Sequence, residues 1–108
     1  MIPLTDLNQE IYIVITTEAD KKNASKLADL LLKEKIIACV SFKNIESFFW
    51  WEGSINQLKE VQLMIKCKKE NVNKVCNKIS EWHSYVVPEI IYFCVSANKN
   101  YHNWLNSI

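Results

Sequence analysis

The chain has 108 residues, 49% of them hydrophobic and 23% charged, and a formal net charge of +1. That is enough chain for one domain with its own core, and too even a charge balance for a nucleic-acid surface or an acidic tail. Gly53 is the only glycine, which excludes the glycine-rich phosphate cradles, and all 13 basic residues are lysines, which excludes bidentate guanidinium chemistry.

Met1-Ile2-Pro3-Leu4-Thr5-Asp6 has neither a basic stretch nor an apolar run, so no secretory signal is expected there. Residues 11 to 16 are apolar on both faces, with Ile11, Ile13 and Ile15 on one and Tyr12 and Val14 on the other, as in a central strand. Residues 20 to 35 read as a helix: Ala24, Leu27, Ala28 and Leu31 fall on one stripe and Asp20 is the N-cap. Residues 36 to 51 and 54 to 68 read as two long strands joined at Glu52-Gly53. A second helix spans 69 to 83, with Val72, Val75, Cys76 and Ile79 on one face. The last strand covers 90 to 96, and its apolar run is far shorter than the roughly 20 residues of a membrane span. Tyr101, Trp104, Leu105 and Ile108 have helical spacing, which predicts a short terminal helix capped by Asn100, with Tyr101 and Trp104 in the core. The order β-α-β-β-α-β plus a helix predicts an α+β, ferredoxin-like sheet with right-handed crossovers.

A two-residue turn at Glu52-Gly53 pairs Trp51 with Ser54 and fixes the hairpin register. One face then holds Ala38, Val40, Phe42, Val61, Leu63, Ile65 and Cys67, expected beneath the helices. On that side Glu46 stands opposite Lys59, a favourable cross-strand charge pair. The other face holds Cys39, Ser41, Ile45, Ser47, Phe49 and Trp51 against Glu60, Gln62, Met64 and Lys66. Phe48 and Trp50 point one way at the tip and Phe49 and Trp51 the other, more apolar surface than one small domain covers, so an oligomer is expected.

The cysteines Cys39, Cys67, Cys76 and Cys94 contain no CxxC, which excludes a CxxC metal carrier; free thiols in a reducing cytoplasm are expected. No Ser-His-Asp signature appears, and Gly53 is the only glycine available for a nucleophile elbow. A Cys39–His83 dyad is the one catalytic pairing to weigh, and a non-enzymatic protein is the expectation.

At this point the chain resembles the CutA family, the divalent-cation tolerance proteins. Val14-Ile15-Thr16-Thr17 closes the first strand as in that family, and Ile37-Ala38-Cys39-Val40 looks like its Ala-Cys-Val segment. Ser47-Phe48-Phe49-Trp50-Trp51-Glu52-Gly53 looks like its Ser-x-Tyr-x-Trp-x-Gly stretch, and residues 60 to 66 resemble its Glu-x-x-Leu-x-Ile-Lys strand. His83-Ser84-Tyr85-Val86-Val87-Pro88-Glu89 resembles His-Pro-Tyr-x-x-Pro-Glu, and Tyr101 with Trp104 matches a terminal Tyr-x-x-Trp. The resemblance covers nearly the whole chain. It implies a homotrimer with hairpins exchanged between subunits, tolerance of copper and other divalent metals, and no assigned reaction. The chain departs from the pattern at Phe49 for tyrosine, Ser84 for proline and Cys67 where threonine is common. Thr16 and Trp82 stand where some relatives carry a cysteine and a second histidine.

Cys39 falls opposite Lys66, with Glu60 further along that face. Lysine beside a thiol favours thiolate, hence metal binding; the alternative is a buried thiol with Lys66 paired to Glu60 or Glu89. His83 and Tyr85, with Glu89 nearby, either line a ligand pocket or cap the helix and make structural hydrogen bonds. Cys76 and His83 are seven residues apart, roughly 10 Å along a helix, and cannot grip one ion. His102 is a loose candidate ligand expected at the surface of the last helix. The expected function is weak binding of divalent metal, copper above all, with Cys39 and His83 as soft ligands and Glu60 and Glu89 as oxygen donors. The alternatives are a sensor like the PII proteins, whose fold is similar, binding a small anion in an intersubunit cleft of Trp51, Glu60, Lys66, His83, Tyr85 and Glu89, or a structural hub for another protein.

Overall fold

A computed structural model describes residues 9–108, so the reading of the first six residues lies outside the described ones. Strand β1 (Gln9–Glu18) leads to helix α1 (Lys21–Lys33). Strands β2 (Cys39–Trp51) and β3 (Ser54–Cys67) form the hairpin. A 3-10 turn (Lys69–Asn71) opens helix α2 (Val72–Trp82), followed by β4 (Ile91–Ala97) and α3 (Lys99–Asn106). The four strands form one antiparallel sheet in the order β2-β3-β1-β4, the expected ferredoxin-like arrangement.

β1 is interior to the sheet, which is why both of its faces are apolar. The predicted stripe of α1 is buried in full, at Ala24, Leu27, Ala28 and Leu31, and the Asp20 carboxylate accepts the Asn23 N–H at 2.8 Å as the N-cap. Val72, Val75 and Ile79 of α2 pack on the same sheet face, against Val14, Leu63 and Ile65.

The hairpin register is the one expected, from Trp51 opposite Ser54 to Cys39 opposite Lys66. Glu52 and Gly53 both have left-handed backbone, at φ 49° and 80°, which suits the right-handed twist of the strands. The helix-side face is buried at Val61, Leu63, Ile65 and Cys67. Phe42 departs from expectation and is exposed, because β2 is the edge strand and the helices do not reach it. Glu46 stands opposite Lys59 but accepts its hydrogen bond from the Gln57 amide. The cap of α3 is Asn98 rather than Asn100: the Asn98 side chain accepts the Tyr101 N–H at 2.8 Å. Leu105 is the buried residue of that helix, whereas Trp104 is exposed and Tyr101 half-buried, not the expected core pair.

Candidate functional site

The site forms where the end of β1, the exit of α2 and the middle of the hairpin meet. β1 runs two residues past its apolar core, and the alternation that buries Val14 and Thr16 carries Glu18 inward to 1% exposure. The loop after α2 closes over this carboxylate. Glu18 accepts the Ser84 N–H at 3.1 Å, the Ala19 N–H at 3.2 Å and the Ser84 hydroxyl. Such a buried group needs these partners, since desolvation without hydrogen bonds is costly.

His83 adds a second tie to β1. Its Nδ1 accepts the Tyr85 N–H at 2.9 Å, so Nε2 carries the proton donated to the Thr17 carbonyl at 2.5 Å. The His83 side chain is wholly buried, 3.7 Å from Glu18 through Nδ1. Its ring lies 4.9 Å from that of Tyr85. The Tyr85 hydroxyl donates to Glu60 at 2.8 Å, and Glu60 is 8% exposed. Burial first, then the Glu60 carboxylate, push the Tyr85 phenol far above its ordinary range, so it serves as a fixed donor. Glu18, Ser84, His83, Tyr85 and Glu60 thus join β1, the loop and the hairpin in one chain of contacts.

Beside this network the loop and the hairpin leave an apolar groove of about 320 Å³. Phe49, Trp51 and Leu58 line its hairpin side, and Tyr85, Val86 and Val87 its loop side. Val86 is 95% exposed and Val87 67% exposed.

The structure brings together Trp51, Glu60, His83 and Tyr85 of the expected cleft. Lys66 lies elsewhere. It pairs with Ile13 of β1, four residues from the Thr17 that binds His83, so about 13 Å separates them at ~3.3 Å per residue. Cys39 is opposite Lys66 and one strand further from β1, so one subunit forms neither the Cys39–His83 metal pair nor a Cys39–His83 dyad. Tyr101 of α3 has its phenol raised by burial first and then by the Cys39 thiol beside it. Glu89 is exposed on the loop before β4. His102 is half-exposed on the last helix, with its Nδ1 buried and without a hydrogen-bond partner among the described residues. Among the described residues no group of three or more His, Cys, Asp or Glu is arranged to hold a metal ion.

Glu18 and Ser84 escaped the sequence reading. Glu18 sits on the parity of Val14 and Thr16, the one signal that points to it, but polar residues at a strand end are ordinarily taken for its exit. Ser84 stands out only as a serine where the resembled motif has proline, with nothing in the sequence tying it to Glu18.

The chain is similar to known proteins along nearly its whole length. Residues 12–108 match the family described as CutA1 divalent ion tolerance protein. The divalent-cation tolerance protein CutA of Pyrococcus horikoshii is 39% identical over 96 residues, covering 88% of this chain and 94% of that protein. Its counterpart in Yersinia pestis is 34% identical over 110 residues, covering 96% and 92%. The crystal structure of CutA1 from Pyrococcus horikoshii superposes with a TM-score of 0.86 at 38% identity, covering 89% of this chain and 95% of that one. The Archaeoglobus fulgidus structure, described as a periplasmic divalent cation tolerance protein, gives 0.87 at 30% identity, covering 90% and 96%. With the fold and nearly the full length in common, the chain belongs to the CutA1 family of divalent ion tolerance proteins.

Proposed function

We propose that the chain works as a non-enzymatic, cytoplasmic homotrimer in divalent-metal tolerance, copper included, and binds metal weakly where subunits meet. The observation that carries this reading is the open groove of Phe49, Trp51, Leu58, Val86 and Val87 beside the Tyr85–Glu60 pair. So much aromatic and aliphatic surface next to a desolvated carboxylate suits a subunit boundary. A neighbour seated there would bring its own donors to Glu60, completing a ligand set that one subunit lacks. The relatives, divalent-cation tolerance proteins, point to a divalent cation.

The experiment is calorimetric titration of the reduced, metal-free protein with Cu(II) and Zn(II), with sedimentation on the same samples. The expected result is a three-chain particle with saturable binding at a fixed ratio per particle, weakened in Glu60→Gln. Cys39→Ala and His83→Ala run in parallel to test the soft-ligand set. A stable folded monomer, or heats indifferent to all three changes, overturns the reading.

A further inference from the structure

A second cavity, of about 460 Å³, opens between the start of α1 and the middle of the hairpin. That volume suits a small organic ligand. Glu60 and Val61 form its buried base, whereas Asp20, Glu46 and Lys59 stand on an exposed rim. Glu60 is the unusual member. It is only 8% exposed, and its Oε2 accepts the Tyr85 hydroxyl, but among the described residues its Oε1 accepts no hydrogen bond. Asp20, Glu46 and Glu60 form no ion pair among the described residues, nor does Lys59, although it stands opposite Glu46 in the ladder. A desolvated carboxylate ordinarily has a cation beside it. Here three carboxylates face one ammonium, so the lining is negative by two charges. After burial and Glu60 itself, the charges of Glu18 and Asp20 also raise the Tyr85 phenol, as expected where acidic groups converge.

The charge calls for a cation, and the spacing of the carboxylates decides which kind. They come from three places: Asp20 from the turn before α1, Glu46 from β2 and Glu60 from β3. Among the described residues they are not arranged to hold one metal ion, which needs its oxygens within bonding distance of a single point. A flexible chain with an ammonium at each end reaches them separately. Between the charges, Ala19, Ile45 and Val61 supply apolar wall for methylene groups. We propose that this cavity binds an aliphatic polyamine. One ammonium donates to Oε1 of Glu60, the others sit at the rim with Asp20 and Glu46, and the methylenes between them cover Val61. Lys59 opposes the ligand. The inference does not rest on the subunit-boundary reading: one subunit supplies the whole cavity, and Asp20, Glu46 and Lys59 are no part of that ligand set.

The test is calorimetric titration of the full, metal-free chain with spermidine at low salt. The expected result is saturable binding of one spermidine per chain, not displaced by Mg(II) at equal concentration. Asp20→Asn with Glu46→Gln removes two charges but keeps the helix cap and the acceptor for Gln57. The pair should weaken binding by at least roughly fivefold. Glu60→Gln should weaken it at least as much, because that charge is the desolvated one. Lys59→Met should tighten binding by roughly two- to fivefold, an outcome that damage to the fold would not produce. Circular dichroism checks that each variant folds. No saturable binding, displacement by Mg(II), affinity indifferent to the double change, or weaker binding in Lys59→Met overturns the proposal. Spermidine that stays inert while Cu(II) and Zn(II) still bind overturns this proposal alone. Spermidine that binds a chain giving no metal heats supports it and overturns only the subunit-boundary reading.

Discussion

Thr16 and Glu18 occupy successive inward positions of β1, and the fold treats them in opposite ways. Glu18 is surrounded by donors, two of them from Ser84. The motif that this stretch resembles has proline at that position, which has neither an N–H nor a hydroxyl to give. Ser84→Ala removes one donor from a buried acceptor and should lower stability by about 1–3 kcal/mol, read by chemical denaturation. Ser84→Pro removes both donors and should cost more. Thr16 is wholly buried, and its hydroxyl has no partner among the described residues. Thr16→Val keeps the shape and removes the orphaned group, so stability should rise by about 1 kcal/mol, a shift of roughly 4–8 °C in melting temperature. A melting point unchanged or lowered would mean that the hydroxyl is satisfied in solution. Neither role is written in the composition of β1. Alternation gives the facing, but only the distant loop decides whether an inward oxygen finds a donor.

At the scale of elements, the hairpin was the most legible feature, because a two-residue turn leaves one register and the side-chain period of two then assigns every face. What escaped was how far cover extends. Phe42 has the right parity for the core, yet it sits on an edge strand outside the reach of the helices. Element ends shifted for local reasons too: Asn98 caps α3 because its side chain reaches the Tyr101 N–H. The turn itself carries a testable cost. Glu52 holds φ 49°, a conformation that penalises most side chains by roughly 1–2 kcal/mol and asparagine less. Glu52→Asn should therefore stabilise the protein by about 1 kcal/mol with no change in assembly, read as a higher denaturation midpoint at constant slope. A lower midpoint would show that Glu52 makes contacts in the assembly that outweigh its backbone strain.

The whole molecule is more extended than its length requires. A compact chain of about 100 residues has a radius of gyration near ~13 Å, whereas this one measures 15.4 Å, with a long dimension of 50 Å. The excess fits a hairpin whose 13- and 14-residue strands outrun the other two strands of the sheet. Its tip carries apolar residues on both faces: Trp50, Phe48 and Ile55 on one, Trp51 and Phe49 on the other. The candidate site was only half legible for the same reason. Motif order located Glu60, His83, Tyr85 and Trp51, but the β-ladder separates Cys39 and Lys66 from them, and only a neighbouring subunit could bring those donors back. The groove between hairpin and loop is where that idea is most exposed to test. Trp51→Glu with Val86→Glu alters residues that are open in the single chain, so each should change monomer stability by no more than about 0.5 kcal/mol. At a subunit boundary the same charges would be buried without partners, and sedimentation velocity at micromolar concentration should show the proposed three-chain particle giving way to folded monomer. Intact trimers would exclude the groove as the contact and move it to the opposite hairpin face, where Trp50→Glu with Ile55→Glu should then have the dissociating effect.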